Sequence, residues 1–361
     1  MKEKEKLLFK ALCKFKDGAI KDDLLEAATP SVLGHLFFNR MQGIAYDTLK
    51  KNGMLGKVNR EFRNSLASAF EQNVQKNKSF KKCIGMLCGI LSNSECKVAM
   101  LKGAYLCTRY SDGYRTSNDV DLLVMPEDVT VIGRLLTDAG FKQGNIRNGE
   151  FIPATRQEII ESKMMRGETV PYIKEVDLPF MKFFEVDINF SLDYKNGRGD
   201  ILSDMLSKIC VREEKDLSIP TLNDSDFFIH LCCHLYKEAT TLPWIEMRRD
   251  MTLYKYCDIY MLLSEMSDKQ LLEIFERSKE LDMEKICACA ILETMGLFDM
   301  KPSLAKKTAE EILLDDPDFC LKVISPKEKK MLIYQTKDVT ERFFMESRVD
   351  DLREVESSEK A

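Results

Sequence analysis

Two aspartates, Asp119 and Asp121, stand one residue apart in the stretch RTSNDVDLLV, at the start of an apolar run. Successive side chains of a strand point to opposite faces, so residues two apart share a face. Carboxylates this close repel each other unless a cation lies between them. We therefore interpret the pair as a site for a hard divalent cation, typically Mg²⁺ with carboxylate and phosphate ligands. The alternative is a strand edge where both carboxylates are solvated or cap the preceding turn.

A third aspartate, Asp187, lies 66 residues after Asp121, between Val186 and Ile188 in the stretch FFEVDINFSL. Its apolar neighbours predict a second strand. If the two strands are adjacent in the sheet, Asp187 completes a triad of carboxylates. Such a triad can hold two Mg²⁺ ions about 3.5–4 Å apart, which is the arrangement used for in-line displacement at phosphorus.

The stretch MLKGAYL predicts a short strand, a turn and the start of a helix, and it carries groups suited to phosphate. Gly103 lets the backbone approach a ligand closely, and a helix start offers N–H groups to an anion. Lys102 adds a cation beside the glycine, and Arg115 adds another before the aspartate pair. Each of these cations could instead pair with Asp112 or Glu127.

The chain around these residues changes its pattern twice. Residues 1–95 have apolar residues at helical spacing, which predicts an N-terminal helical region. Residues 96–200 alternate strand and helix patterns and predict an α/β or α+β core. Residues 201–345 predict a C-terminal helical domain, and 346–361 predict a polar tail that frays. The segment YKNGRGD, near the end of the core, is interpreted as a loop.

The composition bounds the class of protein. The 361 residues have a net charge of −5 and are 44% hydrophobic, which is ordinary for a globular protein. This charge does not indicate a nucleic-acid partner, which would need a local basic patch. No apolar stretch is long enough for a membrane span, and the first residues lack a signal-peptide pattern. Most of the 12 cysteines lie in apolar helical text, so we expect free thiols and a cytoplasmic location.

The order of the motifs resembles the bacterial nucleotidyltransferase-like family of the DNA polymerase β superfamily. The matching stretches are LKG, a following arginine, DVDLLV, EVDINF and FFIHLCCHLYK, over roughly residues 30–265. The resemblance implies an α+β fold in which a minimal mixed sheet is flanked by helical regions. It also implies two Mg²⁺ ions and a nucleoside triphosphate, with ATP as the first candidate. By position, the catalytic and metal-binding carboxylates would be Asp119, Asp121 and Asp187, and the triphosphate would be bound by Lys102, Gly103 and Arg115.

The implied reaction moves a nucleoside monophosphate from the triphosphate to an acceptor and releases pyrophosphate. The resemblance does not fix the acceptor, which could be a small molecule or a macromolecule. We expect the active cleft between the core and the C-terminal helices. One departure concerns the turn, where the superfamily usually has Gly-Gly or Gly-Ser and this chain has Gly103-Ala104. A degenerate protein that binds a nucleotide or a partner without catalysis is therefore the alternative function, and a toxin or antitoxin role is a third.

Overall fold

The computed structural model describes residues 1–16, 19–192, 198–214 and 216–355. Helices and strands alternate through the middle of the chain, and helices predominate toward both ends. The predicted α+β class, with a mixed sheet and helical regions at both ends, is confirmed. Among the helices that the structure describes, none is both long and apolar enough to cross a lipid bilayer.

The described elements follow one another with short connections. The helices are α1 (Glu3–Cys13), α2 (Pro30–Phe38), α3 (Gln42–Lys51), α4 (Arg60–Leu91), α5 (Gly103–Arg109), α6 (Val129–Asp138), α7 (Arg156–Arg166), α8 (Gly199–Ser207), α9 (Asp224–Ala239), α10 (Leu242–Glu246), α11 (Leu253–Leu263), α12 (Asp268–Glu280), α13 (Glu284–Leu297), α14 (Leu304–Ile312) and α15 (Val339–Phe344). The strands are β1 (Ala99–Met100), β2 (Asp119–Leu123), β3 (Lys142–Arg147), β4 (Glu150–Pro153), β5 (Tyr172–Leu178), β6 (Met181–Asn189), β7 (Cys210–Glu214), β8 (Leu217–Thr221), β9 (Lys322–Ser325), β10 (Lys330–Tyr334) and β11 (Leu352–Glu354).

The chain divides into two compact units. The sheet unit is Ser68–Phe227, and the terminal unit combines Met1–Ala67 with Phe228–Ala361. This division differs from the four predicted regions, since the first helices group with the last ones. The sheet unit also begins earlier than predicted, because most of α4 belongs to it and packs its apolar side chains into the core of that unit.

The sheet unit is built on a six-stranded mixed sheet with the strand order β1-β2-β6-β5-β3-β4. The neighbouring strands β2 and β6 run parallel, and every other described pair of neighbouring strands in this sheet is antiparallel. A parallel pair needs a long crossover connection, and here the crossover passes through α6, β3, β4, α7 and β5. The two predicted strands that carry the aspartates are therefore direct neighbours.

One face of the central strands forms the apolar core of this unit. Val120 and Leu122 of β2 and Val186 and Ile188 of β6 are fully buried, and Phe80 of α4 packs in the same cluster. A shift of the register by one residue would turn these side chains out of the core and turn carboxylates into it. The burial of the apolar face thus fixes which residues of β2 and β6 lie opposite each other.

Several elements are absent from the sequence-based prediction. The structure adds strand β4 and helix α7 to the core, and it adds the β7–β8 hairpin after α8. Helix α8 begins at Gly199, inside the segment YKNGRGD that we predicted as a loop; residues 194–197 of that segment lie outside the described residues. The short hairpin strands include Pro220, which sequence patterns treat as a strand breaker.

The C-terminal part of the terminal unit contains a three-stranded antiparallel sheet, β11-β10-β9, where helix and a frayed tail were predicted. Two buried ion pairs hold this part of the chain. Arg348 binds Asp250 through two hydrogen bonds of 2.6 Å, and Arg342 pairs with Glu293. Removing one partner would leave a buried charge uncompensated, which is strongly unfavourable. The predicted tail thus includes a strand, β11, and its residues 356–361 lie outside the described residues.

Candidate active site

Four carboxylates share the face of β2 and β6 that lies opposite the apolar core. The parallel register sets Asp121 beside Asp187 and Asp119 beside Glu185. The structure thus brings the three predicted aspartates together on adjacent strands. Glu185 was missed in the sequence, although it stands two residues before Asp187 and the two-residue period of a strand predicts the same face. We call these four residues the acidic face.

The acidic face carries more negative charge than its surroundings neutralise. Burial raises the pKa of Asp187 well above its usual range, and the charges of Asp121 and Asp119 raise it further. Burial and the charge of Asp119 also raise the pKa of Glu185. Burial raises the pKa of Asp119, but a hydrogen bond from Ser117 and the charges of Lys102 and Arg115 outweigh burial, so the pKa of Asp119 is lowered overall. Such a face favours the binding of a cation.

Lys102 supplies one cation to this face. Its Nζ lies 3.0 Å from Asp121 Oδ1, while Asp112, an alternative partner, pairs with Lys81 at 2.7 Å. The Lys102 backbone has φ 44° and ψ −114°, a conformation that costs a non-glycine residue about 1–3 kcal/mol. A backbone hydrogen bond of 2.9 Å from Leu101 N–H to the Asp121 carbonyl oxygen connects this strained turn to β2.

Gly103 lies directly against Ser117 and Arg115. A Cβ atom at Gly103 would lie 2.8 Å from Ser117 Oγ and 3.2 Å from a guanidinium nitrogen of Arg115, so any other residue would displace these side chains. Ser117 Oγ also donates a hydrogen bond of 2.7 Å to Asp119 Oδ1. The turn therefore has a hydroxyl beside it, supplied by Ser117 from the loop before β2.

Position 104 cannot present a hydroxyl to a ligand at this turn. Ala104 is fully buried and belongs to the apolar core of the sheet unit. A serine there would place its hydroxyl among apolar side chains. The hydroxyl beside this turn therefore belongs to Ser117 and not to position 104.

Asn77 of α4 holds the loop that carries Arg115. Its side-chain amide donates to the Arg115 carbonyl oxygen at 2.5 Å, and its Oδ1 accepts from Gly113 N–H at 2.8 Å. Gly113 has a φ of +95°, which glycine adopts without strain. Because Asn77 is buried and bonded at both ends, it fixes the backbone of Arg115 beside the turn.

A cavity of about 640 Å³ opens next to the acidic face, and Asp121 and Asp187 line it. Helix α7 forms one wall. Its Ser162 Oγ donates to the Glu168 carbonyl oxygen at 3.1 Å, and Thr169 N–H donates to a β6 carbonyl oxygen at 2.9 Å. These bonds hold α7 beside the strand that carries Asp187. All described residues that line the cavity belong to the sheet unit.

The donor set of the acidic face suits Mg²⁺, which binds carboxylate oxygens. Among the described residues, no three acidic, histidine or cysteine side chains already lie close enough to form a metal site on their own. Two of the carboxylates are instead held by Lys102 and Ser117. In phosphoryl-transfer sites Mg²⁺ usually takes one or two carboxylates and completes its shell with water and phosphate.

Comparison with known proteins gives a match over most of the chain. A family model described as "uncharacterised nucleotidyltransferase" matches residues 30–299. This confirms the resemblance found in the motifs and extends it beyond residue 265. The matched range includes α9, where His230 and His234 of the last motif have ring centroids 6.4 Å apart. No curated protein matches the chain significantly.

Proposed function

Because the chain belongs to the family of uncharacterised nucleotidyltransferases, we propose that it moves a nucleoside monophosphate from a nucleoside triphosphate to an acceptor hydroxyl and releases pyrophosphate. The family implies a nucleotide substrate, and we take ATP as the first candidate. The observation that carries the finer proposal is the strand register that sets Asp121 beside Asp187, with Lys102 3.0 Å from Asp121.

The groups around the turn support a place for the triphosphate. Lys102 precedes Gly103 in the turn, and the guanidinium of Arg115 and the hydroxyl of Ser117 lie against Gly103. Hydrogen bonds between charged partners are roughly twice as strong as neutral ones, so two cations would contribute most of the phosphate affinity. Because Gly103 has no side chain, Ser117 and Arg115 can lie directly against the turn, where both could contact the phosphates.

The acceptor would lie in the cavity, next to Asp187, which is one of the lining residues. The acceptor oxygen would form a bond to the α-phosphorus. The bond from this phosphorus to the oxygen that bridges to the β-phosphate would break, and pyrophosphate would leave with the electron pair. Asp187 would accept the proton of the acceptor hydroxyl. Two Mg²⁺ ions held by Asp119, Asp121 and Asp187 would supply Lewis-acid stabilisation of the phosphate charge.

The alternative of a nucleotide binder without catalysis rested on Ala104. Since Ser117 Oγ lies beside Gly103, the turn does not lack a hydroxyl. Three aspartates and a glutamate on one strand pair would also weaken the binding of an anionic nucleotide in a protein that does not use them for catalysis, because like charges repel. Both points favour the catalytic proposal.

Nucleotide titrations test the proposal. We would titrate each of the four nucleoside triphosphates by calorimetry, with Mg²⁺ and with EDTA, into the wild type, Asp121→Asn and the control Asp138→Asn. Asp138 is an exposed residue of α6 away from the acidic face. We expect binding that requires Mg²⁺ and falls at least tenfold in Asp121→Asn only. A wild type that binds no triphosphate with Mg²⁺ contradicts the proposal.

Labelled ATP then tests the direction of transfer. With ATP labelled at the α-phosphate, the label should appear on a component of a small-molecule extract, and Asp121→Asn should not transfer it. Transfer of label from the γ-phosphate would indicate a kinase reaction and would refute the proposed chemistry.

A further inference from the structure

The cavity beside the acidic face is acidic beyond the reaction centre. Among its described lining residues, five carry carboxylates, and the cation is Arg147. Two of the carboxylates, Asp121 and Asp187, are already assigned to the reaction. The others would repel the phosphates of a nucleotide, since like charges across an interface oppose binding. They are Glu158, Glu161 and Glu168.

Glu158 and Glu161 present their charges from one face of α7, because residues three apart on a helix are neighbours. Glu158 Oε2 accepts a hydrogen bond of 2.7 Å from Thr155 N–H, which closes the cap of the helix. Bonds from Thr155 lower the pKa of Glu158, so this carboxylate is anionic at neutral pH. Glu161 Oε1 accepts a bond of 2.7 Å from Gln157. Both of these bonds come from neutral donors, while the charge of Arg147 acts on Glu158 and lowers its pKa further.

An independent feature of the same cavity points to a ligand. Thr169 lines the cavity and is only 2% exposed. Within the part of the chain that the structure describes, its Oγ1 has no hydrogen-bond partner. A buried hydroxyl without a partner is unfavourable, and a ligand that brings a polar group to this wall would satisfy it.

We propose that the acceptor is a small molecule with several hydroxyl and amino groups, which is cationic at neutral pH. This inference rests on the proposed nucleotidyl transfer. The ammonium groups bind Glu158 and Glu161, a polar group meets Thr169, and the reacting hydroxyl lies near Asp187. The volume of about 640 Å³ falls within the roughly 300–1,000 Å³ typical of pockets for small organic ligands. A nucleic-acid acceptor would instead bring phosphates to the glutamates of α7.

The test uses two trisaccharides with the same sugar backbone, one with basic amines and one with neutral acetamides in their place. The trimer of β-1,4-linked glucosamine carries amines, and its fully N-acetylated form has the same backbone without the charge. Each is titrated by calorimetry with Mg²⁺ but without nucleotide into the wild type, Glu161→Gln and the control Glu175→Gln. Glu175 is an exposed residue of β5 outside the cavity lining. Because Glu161 is exposed as well, its variant should fold, and its melting temperature checks this.

We expect the amino trisaccharide to bind at least tenfold more tightly than the acetylated one. Glu161→Gln should weaken it about three- to tenfold, since a charged partner becomes a neutral one, and Glu175→Gln should leave it unchanged. Equal binding of both trisaccharides, or equal affinity in both variants, overturns the proposal. So does binding of a pentalysine peptide when neither trisaccharide binds, because the acceptor is then a basic protein segment. A failure of the proposed function appears separately, as missing Mg²⁺-dependent nucleotide binding while the amino trisaccharide still binds.

Discussion

Replacing Ser117 by alanine should weaken ATP binding in the presence of Mg²⁺, whereas replacing Ala104 by serine should not strengthen it. The reason is the geometry of the turn. Ser117 Oγ is the hydroxyl beside Gly103, and position 104 faces the apolar core. Ser117→Ala therefore tests the hydroxyl that lies beside the turn, and Ala104→Ser tests the position at which the Gly-Ser pattern of related turns has its hydroxyl.

The size of each effect follows from the contacts. A hydrogen bond to a charged group contributes about 1.5–3 kcal/mol. The single proton of Ser117 is already donated to Asp119 at 2.7 Å and has to be exchanged for a phosphate. We therefore take the lower end, about 1.5 kcal/mol, which is about tenfold in affinity. Ala104→Ser buries a hydroxyl at a fully buried position, which costs about 1–3 kcal/mol of stability.

The assay is calorimetric titration of ATP with Mg²⁺ into the wild type, Ser117→Ala, Ala104→Ser and the double variant, with a melting curve of each. Ser117→Ala should bind about tenfold more weakly and melt close to the wild type. Ala104→Ser should bind like the wild type and melt a few degrees lower. If Ala104→Ser restores the affinity lost in Ser117→Ala, position 104 faces the phosphates and the reasoning about the turn is wrong.

Two further predictions concern the charges of the acidic face. The pKa of Asp187 in the folded protein lies above its unfolded value of about 3.9. The loss of folding stability therefore grows as the pH rises from the unfolded pKa to the folded one, and it is complete above the folded pKa. In EDTA at pH 8, the free energy of unfolding of Asp187→Asn should therefore exceed that of the wild type by on the order of 1 kcal/mol. This difference should shrink toward pH 4, and urea unfolding across this pH range measures it. A difference that does not depend on pH contradicts the prediction. Lys102→Ala removes the partner of Asp121 in a pair whose side chains are 23% and 14% exposed, so it should lower the free energy of unfolding in EDTA by about 1–3 kcal/mol. Added Mg²⁺ should recover part of that loss. Lys97 is an exposed residue before β1, so the control Lys97→Ala should show neither effect. Equal losses in both lysine variants would assign Lys102 an ordinary surface role.

The sequence predicts the two central strands because their apolar residues alternate with carboxylates. Val120 and Val186 mark the buried face, and the aspartates follow on the other face by the period of two. The alignment of Asp121 with Asp187 is a different matter. Parallel strands far apart in the chain are aligned by the packing of the whole core, and no local pattern records this. The sequence therefore predicts the three aspartates as a set, while their pairing across the two strands comes from the structure.

Some of the missed elements left signals and others did not. Thr155 and Glu158 have the spacing of a capping box, which predicts the start of α7 and so one wall of the cavity. The C-terminal strands have a weaker sequence pattern, because contacts distant in sequence help to hold this segment. Among these contacts are the buried ion pairs of Arg348 with Asp250 and of Arg342 with Glu293. Partners that lie about 50–100 residues apart in sequence can be recognised only once the fold brings them together.

The arrangement around Asp121 separates two kinds of substrate chemistry on one strand pair. At the turn, Lys102 and its neighbours offer cations and a hydroxyl, which suit an anionic phosphate chain. In the cavity, Asp187 and the glutamates of α7 offer carboxylates, which would suit the cationic acceptor that we propose. Asp121 contacts Lys102 and also lines the cavity, so it stands at the boundary between the two. An anion and a cation that occupy these two places would meet at the aspartates, where mutual attraction would help to bring the reacting oxygen toward the α-phosphorus.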